Sequence, residues 1–354
     1  MFHFGSSTTE TALSTVPPGT SPICKLKKED LEWVCHGSGT ESDTIYFRLE
    51  NGTFVLLQFA CAKISVSTTY QTNMMICEKG ENPIFETLEN SKMTIDSDKI
   101  SVTCDRLKIQ FNKDITGLTM SYTGKDDLRI ELSSKFISEG YKIGETPNKI
   151  AGGTANHVFY PRVSVQATLE HSGKKVSESG TGIFIRAASS GILPYNIGAR
   201  WYLSLVDNPD FYFHILQYTT PKKYGAVTIS QAALIRDQKP AVYFYDNKLK
   251  LEDLDKSLNK TYELPRRVVY TLKGQTEDKK NATLTYNADL SNFIYEIRAL
   301  AAMNPILKSL IHALVTNPIL FDFMETDAKL VLKVDGEKEE VLSGTAYHEL
   351  TFMS

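Results

Sequence analysis

Disulfide and zinc chemistry have little to work with in this sequence of 354 residues, because it holds five cysteines, all in the first third: Cys24, Cys35, Cys61, Cys77 and Cys104. The number is odd, no C-x-x-C pair occurs and no histidine stands at zinc-ligand spacing, which excludes a disulfide framework and a zinc module. Free thiols packed as small hydrophobes in a reducing compartment are the expectation. Charge of one sign is also missing: 39 basic against 42 acidic residues leave a net −3. Such a chain lacks the basic field behind nucleic-acid affinity, so no nucleic-acid partner is implied. No apolar run approaches about 20 residues, which excludes a transmembrane helix. The opening stretch MFHFGSSTTETALSTVPPG has neither a basic n-region nor a continuous apolar core, so no secretory leader is expected. The sequons at Asn51, Asn259 and Asn281 then read as bare surface turns.

Catalytic signatures are absent as well. There is no G-x-S-x-G elbow, H-E-x-x-H pair, P-loop or dinucleotide fingerprint, and Gly37-Ser38-Gly39 reads as a loop. The seven histidines are scattered, with no metal spacing among them, so neither a metal nor a cofactor is implied. His214 falls on the strand face opposite Phe213 and Ile215, the position of a structural histidine.

What the chain does contain is strand pattern. Leu107, Ile109 and Phe111, then Leu118, Met120 and Tyr122, then Leu128, Ile130 and Leu132 alternate with polar residues, as half-buried strands do. Asn51-Gly52 between two apolar runs predicts a tight primed hairpin turn. After Ser172-Gly173 the pattern restarts and continues to a final strand pair around Asp335-Gly336. Many short strands without helical crossovers predict antiparallel β-barrels or sandwiches. LENGTFVLLQF and LVDNPDFYFHILQY share an apolar strand, an Asn turn and a strand ending in Gln-aromatic, a hint of duplication. Residues 5–22 are rich in Ser, Thr, Pro and Gly and predict a disordered tail. The expected divisions are therefore a tail over 1–22, a first domain over 23–175 and a second over 176–354.

One helix is predicted over 305–316, where Asn304-Pro305 forms an N-terminal signal and Ile306, Leu310 and Leu314 share a face. It suits a plug, a lid or a membrane contact. Aromatics are plentiful, at 17 Tyr and 17 Phe, and either fill a barrel or line an apolar cavity. At about 0.8 kcal/mol per buried methylene, carrying an acyl chain through water calls for an enclosed site.

The run His157-Val158-Phe159-Tyr160-Pro161-Arg162 and the following GTGIFIRAASSGILPYNIGARWYLSL resemble the fungal survival factor family. So do Thr219-Thr220-Pro221-Lys222-Lys223-Tyr224-Gly225 and the closing block from NPILKSLIHALVTNP. The likeness runs in order from about residue 40 to the C-terminus. It implies two tandem lipocalin-like antiparallel β-barrel or sandwich domains with one short helix in the C-terminal half. It also implies a non-enzymatic ceramide carrier between endoplasmic reticulum and Golgi, serving sphingolipid homeostasis and survival of oxidative stress. The partners implied are ceramide or another long-chain lipid and a transient membrane surface. Cytoplasmic and nuclear pools with peripheral membrane association follow from the same likeness. Phe159, Tyr160, Phe184 and Trp201 are expected to line the lipid cavity or else to pack an ordinary interdomain core, and Arg162 and Arg200 to bind a polar lipid head group or else to pair with interface carboxylates. Met1, Phe2 and Phe4, with Ile306, Leu310 and Leu314, are the expected membrane contacts. Tyr160 replaces an expected Trp, and Tyr195-Asn196 stands where relatives carry paired histidines, so no catalytic residue is expected. Two alternatives belong to other classes: an enzyme on the same scaffold acting on a long apolar substrate, which needs converging His and Asp or Glu side chains, and a thiol sensor, which needs an exposed cysteine of low pKa.

Overall fold

In the computed structural model, described residues are 9–11, 13–14, 23–34, 38–64, 67–144, 148–150, 153–298 and 318–353. They form two compact units, Ile23–Pro194 and a second made of Met1–Pro22 with Tyr195–Ser354. Each is built on an antiparallel sheet that curls into a barrel.

Two short N-terminal strands, β1 (Thr9–Thr11) and β2 (Leu13–Ser14), belong to the second unit. The first unit holds β3 (Ile23–Lys25), β4 (Gly39–Leu49), β5 (Phe54–Ile64), β6 (Ser67–Cys77), β7 (Ile84–Asn90) and β8 (Met93–Ile95). It continues with β9 (Val102–Cys104), β10 (Leu107–Phe111), β11 (Gly117–Thr123), β12 (Arg129–Phe136), β13 (Tyr141–Ile143) and β14 (Asn148–Ile150). The long hairpin β15 (Gly153–His171) and β16 (Lys174–Ser190) completes it. The second unit adds β17 (Arg200–Asn208), β18 (Phe211–Thr219), β19 (Thr228–Arg236), β20 (Lys239–Asp255) and β21 (Leu264–Thr276). β22 (Asn281–Asp289), β23 (Phe293–Arg298), β24 (Ile319–Val334) and β25 (Glu340–Phe352) follow.

The first sheet runs β7-β6-β5-β4-β16-β15-β12-β11-β10-β9-β8. The alternation read at β10, β11 and β12 is the alternation seen, with Leu107, Ile109, Leu118, Met120, Ile130 and Leu132 all in one core cluster. Among the described residues no ladder joins β7 to the β10–β11 hairpin, and side chains bridge that seam instead. Tyr122 donates its hydroxyl to Glu86 at 2.6 Å, and the Arg106 N–H donates to Asn90 Oδ1 at 3.0 Å. Toward one end of this core Arg186, 1% exposed, pairs with Asp43 at 2.9 Å and Glu41 at 2.8 Å and lies 4.3 Å from the Trp33 ring centroid. Burial pushes the Asp43 carboxyl up to about 6 even though Arg186 pulls it down.

The second sheet closes. β17 to β22, then β24 and β25, pair as neighbours in chain order, β25 returns to β17, and β19 also pairs with β20. This is an eight-stranded up-and-down barrel of the lipocalin type. β23 extends it by pairing with β24, β1 adds to β20, and β2 adds to β19 in parallel.

Three expectations need correction. Ser172-Gly173 is a hairpin turn and not a domain break, because φ is 51° and 73° at the two residues and His171 pairs with Lys174. The stretch after it, β16, pairs with β4 and stays in the first unit, so the division lies at 194/195 and not at 175/176. Asn51-Gly52 makes no primed two-residue turn: only Gly52 is left-handed, Asn51 Oδ1 takes the Thr53 N–H at 2.8 Å, and a three-residue loop with a glycine bulge results. Within the tail read as disordered, Thr9–Thr11 and Leu13–Ser14 pair as strands with β20 and β19. The helix predicted over 305–316 lies outside the described residues; the one α-helix among them is α1 (Pro194–Ile197).

Candidate functional site

Side chains alternate across the closed barrel, so one phase of each strand faces inward. Most inward positions are apolar: Val206, Phe213, Ile215, Leu234, Phe244 and Leu284 are each no more than 3% exposed. Into this interior five strands also send polar groups. Ser204 of β17 lies in register with His348 of β25, which lies in register with Phe323 of β24, while Tyr270 of β21 faces Tyr286 of β22.

These groups form one hydrogen-bonded chain. Tyr270 OH and Ser204 Oγ are 2.8 Å apart, Ser204 Oγ and His348 Nδ1 2.9 Å, and His348 Nε2 and Tyr286 OH 3.3 Å. Tyr286 donates its hydroxyl to Glu325, whose Oε2 also lies 3.4 Å from His348 Nε2. Ser204, His348, Tyr270 and Tyr286 are all buried. Burial, reinforced by the Glu325 carboxylate, holds the Tyr286 phenol well above its ordinary value, and burial raises Tyr270 as well. Both are therefore neutral hydroxyls at any ordinary pH. The chain can orient a polar ligand group or relay a proton between Glu325 and Ser204.

A second polar row lies nearer the Arg200 end. Gln217 of β18 is in register with Tyr202 of β17 and Ser230 of β19, and Asn247 of β20 donates to Ser230 Oγ at 2.9 Å. Gln217 shares the inward phase of Phe213 and Ile215, is 0% exposed, and among the described residues neither its Oε1 nor its Nε2 has a partner. Asn247 Oδ1 is buried and unpartnered too.

The expected lipid-binding residues fall into different places. Tyr160 and Phe184 pack inside the first barrel, 6.1 Å apart, with Tyr160 stacked on Phe136 at 3.9 Å. Phe159 points to the other sheet face, against Tyr141. Arg162 sits at the β15 bulge, where Pro161 needs no ladder hydrogen bond and the Arg162 N–H reaches Ser138 Oγ at 3.0 Å. Arg200 and Trp201 belong to the second unit: Arg200 is on the inward phase with Tyr202 and Ser204, whereas Trp201 is on the outer phase, stacked on Tyr218 at 4.3 Å. Met1, Phe2, Phe4, Ile306, Leu310 and Leu314 lie outside the described residues. His214 is fully buried on the outer phase, and burial pushes its imidazole down to about 3.

Sequence reading missed His348, Glu325, Ser204, Gln217 and Asn247. A signal existed for His348: it shares the apolar phase of Ala346 and Leu350.

The chain matches the Svf1 family over residues 3–354. It belongs to that family. Svf1 relatives include ceramide-binding protein svf-1 of Neurospora crassa, 22% identical over 95% of this chain and 91% of the relative. Ceramide-binding protein svf1 of Aspergillus fumigatus is 24% identical over 94% and 92%. Svf1 family membership sits on a fold shared with CghA, solved with Sch210972, at TM-score 0.65 and 10% identity over 90% of this chain and 89% of that one. Kievitone hydratase from Nectria haematococca has the same fold at TM-score 0.57 and 11% identity, over 96% and 95%. At those identities the likeness is one of fold.

A crevice of about 100 Å³ opens at the end of the second barrel away from Arg200, lined partly by Arg236, Glu337, Lys338 and Glu340. It is too small and too charged for an acyl chain. Of the described cysteines, Cys61 and Cys77 are buried, and burial with Asp105 nearby pushes the half-buried Cys104 thiol up to about 12. That is the opposite of a reactive sensor thiol.

Proposed function

We propose that this protein is a ceramide-binding lipid carrier that works without catalysis. The observation that carries this reading is membership of the Svf1 family along the whole chain, with relatives named for ceramide binding aligned over more than nine-tenths of their length. A closed barrel with a mixed interior is suited to the cargo, since apolar walls take acyl chains and the inner hydroxyl and amide groups take a polar head. Traffic between endoplasmic reticulum and Golgi, peripheral membrane docking from cytoplasmic and nuclear pools, and support of oxidative-stress survival are parts of the same proposal. The test is lipid extraction and native mass spectrometry of the purified chain, followed by ceramide transfer between donor and acceptor liposomes. Co-purified sphingolipid and accelerated transfer are expected; a lipid-free protein that moves no ceramide overturns the reading. Removal of residues 1–8, which leaves β1 and β2 in place on β20 and β19, is expected to weaken liposome flotation while the melting temperature holds.

The buried chain from Glu325 through His348 to Ser204 favours a second reading, acid–base catalysis on a long apolar substrate. Mass analysis of ceramide recovered after prolonged incubation separates the two: intact lipid supports the carrier, chemically altered lipid the enzyme.

A further inference from the structure

Buried amide side chains nearly always find partners, because an unsatisfied donor or acceptor away from water destabilises the fold. Gln217 breaks that rule at both ends of its amide, fully buried on the inward phase of β18. Beside it, across Ser230, Asn247 leaves its Oδ1 unpartnered while its Nδ2 is held by Ser230 Oγ at 2.9 Å and the Phe244 carbonyl at 3.3 Å. Gln231 of β19 is buried and unpartnered in the same way but on the outer phase, so what sets Gln217 apart is that its amide faces the barrel interior. Gln58, in the corresponding hairpin of the first barrel, donates to Thr44 at 2.9 Å and accepts from Asn73 at 2.7 Å.

We propose that Gln217 and Asn247 form the site that reads the secondary amide of an N-acyl lipid inside the second barrel. The proposal rests on the ceramide-binding reading and assigns it a place and a selectivity. A secondary amide carries one N–H donor and one C=O acceptor. Gln217 offers the complementary pair, Oε1 to the N–H and Nε2 to the carbonyl, and Asn247 Oδ1, fixed by its anchored amide nitrogen, takes a neighbouring lipid hydroxyl. An ester lipid of equal chain length has no N–H, so it leaves Gln217 Oε1 buried and unpaired; a site built to hydrogen-bond a group rejects the analogue lacking it.

The experiment measures binding of ceramide, its N-methyl analogue and diacylglycerol of matched chains to the full-length protein and to Gln217→Met, which keeps side-chain length and removes both polar atoms. The unaltered protein is expected to bind ceramide at least about tenfold more tightly than either other lipid. Gln217→Met is expected to lose that preference, bind diacylglycerol as before, and melt no lower when lipid-free, since an unsatisfied buried amide is gone. A variant that keeps the preference overturns the proposal. So does one that melts lower and loses all three lipids equally, which marks Gln217 as a packing residue. If Gln217→Met does not fold, the N-methyl analogue decides on the unaltered protein: equal affinity for the two ceramides overturns the site but leaves ceramide binding standing. Failure of the unaltered protein to bind ceramide at all overturns both.

Discussion

Gln58 and Gln217 each precede an aromatic residue in two sequence stretches that look alike, in the middle of β5 and near the end of β18. In the first barrel the neighbours Leu57 and Phe59 face the core cluster, so Gln58 faces the other way and both ends of its amide are bonded. In the second barrel Phe213 and Ile215 face the core, so Gln217 faces it too. One residue of phase separates a surface-network glutamine from an interior one, because side chains alternate along a strand. The barrels differ in closure as well. The second is shut by backbone ladders all round, whereas the first keeps a side-chain seam at Glu86 and Asn90 among the described residues. Their buried charge differs in kind: the first buries an Arg186 ion cluster, the second a chain of hydroxyls running to Glu325. The contrast is thus between a ring closed by backbone ladders with hydroxyl and amide groups inside and a sheet closed by side chains around a buried ion cluster.

The strongest way to break this contrast is at Arg186. Arg186→Met leaves Glu41 and Asp43 buried without their cation, and a loss of about 3–5 kcal/mol is expected. Hydrogen exchange should quicken in β4 and β16 and stay unchanged in β21 and β22; equal quickening in both barrels would show that they do not respond separately. Tyr286→Phe removes the donor to Glu325 in the second barrel, with an expected loss of about 2–3 kcal/mol in urea unfolding and exchange changes confined to β22, β24 and β25.

Acid should act on the two barrels with opposite signs. Asp43 holds its proton up to about 6 when folded and releases it near 3.8 when unfolded. The native state therefore binds more protons between those values, and the Asp43 contribution falls as pH rises through that window. His214 is the reverse: folded it resists protonation down to about 3, unfolded it takes a proton near 6.5. Its contribution is lost as pH drops below 6.5. Each slope approaches about 1.4 kcal/mol per pH unit. The stability gaps between the unaltered protein and Asp43→Asn, and between it and His214→Phe, should tilt in opposite directions from pH 4 to 7. Parallel tilts would refute the assignment. The smallest effect is expected at the seam, where Tyr122→Phe should cost about 1 kcal/mol and speed exchange in β7 while the closed ring is unmoved.

Strand content and class were legible because period-two alternation is local: β10, β11 and β12 could be read from one short stretch. Closure was not, since Arg200 to Asp207 pair with Thr345 to Phe352 across most of the second unit. The polar chain escaped for the same reason. Ser204, Tyr270, Tyr286, Glu325 and His348 come from five strands and share no spacing, so only the phase of His348 with Ala346 and Leu350 hinted at it. The 172–173 turn misled because Ser-Gly marks a hairpin as readily as a boundary.

Ring closure by β25 also bears on synthesis. The nascent chain leaves the ribosome N-terminus first, and domains fold as units in that order. The first barrel has all its strands once residue 190 has emerged, whereas β17 waits for residues 340–352 before it gains its second neighbour. Until then β17 presents an open sheet edge, a template for wrong pairing. A chain stalled or truncated before β25 therefore carries a finished first barrel and seven ring strands of the second that cannot close, with β17 left as an open edge.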